Sequence, residues 1–209
     1  MKNGDTIFRK ACLIQLSTSV WQGTRMLESS VMEQIGENSD WLRGRKFLIN
    51  PELLGPLRTS SHQARNVILR HALPFPITSI YLVPKDSLTA IDSQLEATRV
   101  TFWRKVGEFA ENYGEAREEA RKVLGDLFHE ADYPEDIRRK FRFEWRFLTL
   151  DLPGKTSVLP PELYEREKEK FRAMMDEARD MAVGALREEF GGIVHHLVDR
   201  LSGNGASPK

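Results

Sequence analysis

Leu88-Thr-Ala-Ile91-Asp-Ser-Gln-Leu95-Glu-Ala-Thr98-Arg-Val-Thr-Phe102-Trp-Arg-Lys-Val106-Gly-Glu-Phe109-Ala-Glu-Asn-Tyr113 advances its apolar and semi-apolar residues in steps of three or four throughout. An α-helix turns once in about 3.6 residues, so these positions form one row, and the regular alternation predicts a helix packed along a seam close to coiled-coil geometry. Asp86 or Ser87 can cap its start, and Gly114 breaks or bends it at the other end.

Downstream, residues 115–130 place Ala116, Ala120, Val123, Leu124, Leu127 and Phe128 on a second inward row. The two helices can then fold back as an antiparallel hairpin. Tyr133-Pro134 opens a short helix, with Glu135 and Asp136 near its positive end and Arg138, Arg139 and Lys140 near its negative end. The period then changes to two. Phe141, Phe143, Trp145 and Phe147 alternate with Arg142, Glu144 and Arg146, which predicts a half-buried strand with one aromatic face. Pro160 and Pro161 open a last helix that runs to about Ser202. At 1.5 Å per residue it spans about 60 Å and is expected to pair with the central helix.

Upstream, residues 11–21 mix Cys12, Leu13, Ile14, Leu16 and Val20 with Gln15, Ser17 and Ser19 on a period-two face, which predicts a strand. It is the natural neighbour of the aromatic strand. Residues 24–35 carry Met26, Leu27, Val31 and Ile35 at helical spacing, and residues 42–49 form a basic loop before Pro51 and Pro56. Residues 59–71 read as a helix with Ala64, Val67, Ile68 and Ala72 inward. Leu73-Pro74-Phe75-Pro76-Ile77 cannot remain helical, because each proline lacks a donor and holds its predecessor extended. A brief strand is expected at 80–83.

The expected fold class is therefore α+β and predominantly helical, with a long antiparallel helical hairpin or coiled-coil-like arm beside a small antiparallel sheet. One domain is expected over residues 1–202, its arm at about 87–130 and 160–202, with residues 203–209 as a disordered tail. Two hundred and nine residues suffice for one such core.

Thirty-one basic and thirty-one acidic side chains cancel, so no whole-molecule field draws in a polyanion, and any nucleic-acid contact must be local. Cys12 is the single cysteine, which excludes an intramolecular disulfide framework and multi-cysteine zinc patterns within one chain. Residues 1–10 contain no apolar run of the signal-peptide kind, and no segment approaches the roughly 20 apolar residues of a membrane span. A cytoplasmic location without membrane contact is the expectation.

Catalytic motifs are sparse. Pro153-Gly154-Lys155-Thr156-Ser157 ends like a phosphate-cradling loop, yet Thr149 stands where the loop needs its first glycine, and Val158 with two prolines delays the helix. His195 and His196 are adjacent, hence about 100° apart on a helix, and cannot readily grip one ion. His195 can instead pair with Asp199 one turn on. His129, Glu130 and Asp132 would need distant donors to hold a metal. Glu118 and Glu119 sit beside Arg117 and Arg121, as on a solvated helix face. The residues thus predict a protein that is not an enzyme and that uses no cofactor or resident metal.

Two surfaces remain. Arg43, Arg45 and Lys46 in the basic loop, and Arg139, Arg142 and Arg146 near the aromatic strand, could hold phosphates while Trp145 or Phe143 stacks on a base. Phe171, Met174, Met175 and Met181 give the last helix a soft apolar stripe suited to a partner protein or to a second copy.

Phe109-Ala-Glu-Asn-Tyr113, Glu119-Ala-Arg-Lys-Val-Leu-Gly-Asp-Leu-Phe128, Asp132-Tyr-Pro134 and Ile137-Arg-Arg-Lys-Phe141 carry a resemblance to an uncharacterised bacterial and phage family, domain of unknown function 3150. It extends over residues 10–201. The resemblance brings no catalytic residues. It implies an adaptor role near a MoxR-like AAA+ ATPase and a protein with a von Willebrand factor A domain. The leading expectation is an interaction subunit of a mobile-element or phage-related complex. The alternative is a nucleic-acid-binding component of a defence or recombination assembly.

Overall fold

The computed structural model describes residues 10–28, 31–32, 44–149 and 160–202. They form an α+β fold, predominantly helical, with a small antiparallel sheet. In chain order the elements are β1 (Ala11–Ser19), β2 (Thr24–Met26), β3 (Arg45–Phe47), α1 (Gly55–Leu69), β4 (Leu73–Pro74), β5 (Ile80–Pro84), α2 (Leu88–Glu111), α3 (Tyr113–Leu124), β6 (Arg142–Leu148) and α4 (Pro161–Leu201). Four strands make one sheet in the order β4-β5-β1-β6, so the aromatic strand is indeed the neighbour of the N-terminal one. The chain groups into two compact units, residues 1–16, 68–91 and 145–209 in one and residues 17–67 and 92–144 in the other.

In the first unit β1 and β5 run antiparallel with Leu13 opposite Leu82, and β4 pairs with β5 through Leu73 and Pro74. Pro74 cannot donate to a ladder, which suits its place at the edge of the sheet. Leu13, Phe75, Ile80, Leu82 and Ala178 form a buried cluster, flanked by Ala11, Leu73, Ile77, Leu148 and Met174. Only Ala178 and Ala182 of the 41-residue α4 are fully buried. Two small side chains one turn apart let that helix close against β4.

In the second unit the seam of α2 is the core, with Leu95, Phe102 and Val106 at most 1% exposed. Phe102 lies 5.3 Å from Phe143 and 6.4 Å from Phe141 between ring centroids. The stack continues from Phe141 through Phe109 and Tyr113 to Trp21 in steps of about 6 Å, mostly edge to face, which is the favourable arrangement of ring quadrupoles. Lys105 ties α2 to the start of α1 by donating to Ser60 Oγ at 2.9 Å and to the Pro56 carbonyl at 3.1 Å.

Several local expectations change. Thr24–Met26 is a strand rather than the start of a helix, because it pairs antiparallel with Arg45–Phe47, a partner about 20 residues on that local spacing cannot reveal. Gly23, at φ +63°, turns the chain into this ribbon, and its carbonyl accepts from the Leu48 amide at 2.8 Å. The expected helix at residues 29–30 and 33–35 lies outside the described residues. Residues 45–47 are therefore strand where a loop was expected. The helix expected from residue 59 already begins at Gly55, after a 3-10 turn over Pro51–Leu54 that buries Leu54.

The break in the central helix falls at Asn112, not Gly114, and helical bonds from Asn112 to Glu108 and from Ala116 to Asn112 persist through it. The following helix stops at Leu124 because Gly125 takes φ +51°. Val123, expected inside, is 78% exposed. The helix expected after Pro134 is a single 3-10 turn, Ile137–Lys140, in which the Arg138 amide donates to the Asp136 carboxylate.

Candidate functional site

An open groove of about 510 Å³ lies within the second unit, lined by Ser17, Ser19, Trp103, the stretch 139–143 and Glu144. Local structure explains its chemistry. The 3-10 turn sets Arg139 and Lys140 at its end, and the alternation of β6 then sends Phe141 and Phe143 inward while Arg142 and Glu144 stay exposed. On α2, Phe102 occupies the seam and its neighbour Trp103 falls beside it, 40% exposed, with its ring edge against Phe102 at 5.6 Å.

The groove thus combines three cationic side chains, one carboxylate from Glu144, two hydroxyls and an exposed indole. Arg139 is held by Asp136 at 3.1 Å, whereas Lys140 and Arg142 have no ion pair among the described residues. Cations beside an open aromatic face suit a phosphate-bearing chain with a base able to stack. The sequence reading singled out Arg139 and Arg142 but missed Trp103. Its signal was its position one residue off the seam, where a large aromatic has no core to fill. Arg146 is exposed on β6 and does not line the groove.

The other predicted basic residues behave differently. Arg43 lies outside the described residues. Arg45 is exposed on β3 and points its Nε at Met26 Sδ, 3.4 Å away. Lys46 is buried: its Nζ meets Asp132 Oδ2 at 2.7 Å and donates to the Leu127 carbonyl at 2.6 Å. Burial and a carboxylate partner exclude it from a phosphate surface, because the alternating pleat of β3 turns position 46 inward between two exposed neighbours.

The His129, Glu130 and Asp132 trio diverges. Glu130 pairs with Arg117 and, at 3.0 Å, with Arg121, while Asp132 faces Lys46 and Arg25. His195 and Asp199 approach to 3.6 Å on the surface of α4. Among the described residues no group of three or more His, Cys, Asp or Glu could hold a metal ion, and the segment 153–157 lies outside them. Arg117 stacks over the rings of Tyr113 and Tyr133, and Arg121 over Phe128, so the residues that carry the family resemblance build one cation–aromatic cluster. Burial pushes the Tyr113 phenol up to about 12, against the pull of Arg117.

Of the predicted partner stripe, Phe171 is half-buried, Met174 packs against the core cluster, Met175 lines a cavity of about 140 Å³ beside Cys12 and Leu148, and Met181 is 36% exposed. Farther along α4, Leu186, Phe190, Ile193, Val194, Leu197, Val198 and Leu201 are between 41% and 88% exposed. This row continues the helix beyond the last buried residue, Ala182. Among the described residues no helix is long and apolar enough to cross a membrane.

Comparison with curated proteins and with solved structures finds no match. A family model does match, over residues 8–201. That span includes the aromatic seam, the cation–aromatic cluster and the whole of α4, and the chain belongs to the family described as Protein of unknown function (DUF3150).

Proposed function

We propose that this chain is a non-enzymatic interaction subunit that works in the cytoplasm, docking through the distal half of α4. The observation that carries this reading is the exposed apolar row from Leu186 to Leu201. Isolated exposed apolar residues are ordinary, but a contiguous row of seven on one helix marks a surface that another protein covers. The family likeness supplies the class of partner: a MoxR-like AAA+ ATPase, with a von Willebrand factor A domain protein, in a mobile-element or phage-related complex.

The test is co-purification of the tagged chain with the MoxR-like ATPase of its own genetic element. The wild type should retain the ATPase, and Phe190→Asp combined with Leu197→Asp should lower retention about tenfold or more, since a buried carboxylate costs at least 1.4 kcal/mol in an apolar contact. Equal retention by both proteins would remove the reading.

The groove favours a second reading, a nucleic-acid-binding component of a defence or recombination assembly. Arg139, Lys140 and Arg142 would hold phosphates while Trp103 stacks on a base. Fluorescence anisotropy with labelled single-stranded DNA and RNA decides it: Lys140→Glu with Arg142→Glu should abolish binding, and unchanged affinity would sink the idea.

A further inference from the structure

Residues 53–85 contain no aspartate or glutamate, although the chain holds thirty-one. Every charged side chain in this stretch is basic, so the charge that cancels over the whole chain does not cancel here. The helix α1 opens the stretch. Its inward row is Leu57, Ser60 and Ala64, each at most 1% exposed. The opposite face carries Arg58, Thr59, His62, Gln63, Arg65 and Asn66, all exposed except the half-buried Arg58. At about 100° per residue Thr59, His62 and Asn66 form the ridge of that face, Arg58 and Arg65 share one flank, and Gln63 lies on the other. Each of the six is a cation or a hydrogen-bonding group, and none is acidic.

The cations around this ridge are not neutralised. Neither Arg58 nor Arg65 has an ion pair among the described residues, and Arg58 commits one Nη2 bond to the Gln22 carbonyl at 3.4 Å. On the far flank α2 places Lys105 beside positions 56 and 60, where its Nζ donates to the Pro56 carbonyl at 3.1 Å and to Ser60 Oγ at 2.9 Å. It too lacks a carboxylate partner among the described residues. A ridge of hydrogen-bonding side chains with cations on both sides matches a groove that has base edges at its floor and a phosphate wall at either side. The residue types fit that floor: an asparagine or glutamine amide bonds the N6 and N7 edge of adenine, an arginine the O6 and N7 edge of guanine, and a threonine methyl meets that of thymine. From Arg58 to Asn66 the helix rises about 12 Å, the length of three to four base pairs at about 3.4 Å each.

Groove width selects the form of nucleic acid. The major groove of B-form DNA, about 12 Å wide, admits an α-helix, whereas that of an RNA duplex is too narrow for side chains to read. A single strand has no second phosphate wall to meet the far flank. We propose that α1 is a recognition helix for B-form duplex DNA, entering the major groove with Thr59, His62 and Asn66 toward base edges and with Arg58, Arg65 and Lys105 toward the phosphates of its two walls. The proposal stands apart from the apolar row of α4 and from the groove beside β6, whose exposed indole suits a single strand.

Fluorescence anisotropy of the full chain with a random-sequence DNA duplex and an RNA duplex of equal length tests it. The DNA duplex should bind about tenfold or more tightly than the RNA, with a slope of log affinity against log salt of about −2.7, since each phosphate neutralised on B-form DNA contributes about 0.9. Arg58→Gln with Arg65→Gln should weaken duplex binding about tenfold or more and make the slope shallower by about 1.8, with an unchanged far-ultraviolet circular dichroism spectrum. Lys140→Glu with Arg142→Glu should leave duplex binding unaltered. Asn66→Ala should change which sequences are enriched from a random duplex library without changing the slope, an outcome that a purely electrostatic patch does not give. A wild type that binds no duplex, equal binding by the Arg58 and Arg65 variant, RNA bound as tightly as DNA, or unchanged enrichment by Asn66→Ala would each overturn the proposal. Retention of the ATPase by the Arg58 and Arg65 variant should match the wild type, so failure here leaves the reading of α4 standing.

Discussion

Tyr113 and Tyr133 flank the same guanidinium, yet their hydroxyl groups have different fates. The Tyr133 hydroxyl donates to the Leu48 carbonyl at 2.7 Å, whereas the Tyr113 hydroxyl is buried without a partner among the described residues. Tyr133→Phe leaves that carbonyl short of a donor and should cost about 1 kcal/mol at neutral pH, while Tyr113→Phe removes a desolvated group and should be neutral or slightly stabilising. Urea denaturation of both variants checks the contrast. The pH dependence follows from the raised phenol. A Tyr113 that titrates at about 12 when folded and at 10.0 when unfolded leaves stability intact below pH 10 and erodes it as pH rises toward 12. Burial raises the Tyr133 phenol as well, so alkaline absorbance titration should show late tyrosines of which Tyr113→Phe removes one. Tyr113, Arg121 and Tyr133 of this cluster are visible in the sequence as motif residues, whereas Arg117 falls between two of the motifs. Which hydroxyl finds a carbonyl is not, because Leu48 is 85 positions from Tyr133.

Elements were legible where a period ran long enough to outvote its surroundings. The seam of α2, the alternation of β6 as far as Trp145 and the opening of α4 at two prolines appear where they were expected, whereas Phe147, expected on the aromatic face, is 42% exposed. Short elements were not: a three-residue strand such as β2 has no period of its own and exists through its pairing with β3. Helix ends were similarly governed by single backbone choices, above all Gly125 in the left-handed region. Within α4, Gly191 and Gly192 interrupt an otherwise good helix former, and a Cβ at either would meet nothing within 4 Å. Gly192 faces away from the apolar row at helical spacing, so Gly192→Ala should stabilise the distal helix by about 0.5–1 kcal/mol. The check is the helical signal and melting temperature of the full chain.

For the molecule as a whole, the cancelled net charge makes any polyanion contact a local affair. Three cations line the groove, and each phosphate neutralised on a single strand contributes about 0.7 to the slope of log affinity against log salt. Nucleic-acid binding there should therefore show a slope of about −2, weakened further by Trp103→Ala through lost stacking without changing that slope. A titration across salt concentrations measures both. A much steeper slope would place the phosphates on basic residues beyond this groove.

Periodicity and side-chain size, which act over a few turns or a few pleats, were enough for the helical character, the two strand periods and the seam of large side chains on α2, and the motif residues were enough for the family. That the two strands neighbour each other is a pairing across about 130 residues, which the sheet order decides. Only the tertiary structure decided that Lys46 is buried against Asp132, that Trp103 opens onto a basic groove, and that the free part of the apolar row on α4 begins after Ala182 rather than at Phe171. Each depends on what lies across space from a residue, and amphipathic spacing shows that a face is apolar without showing which of its turns the rest of the chain reaches.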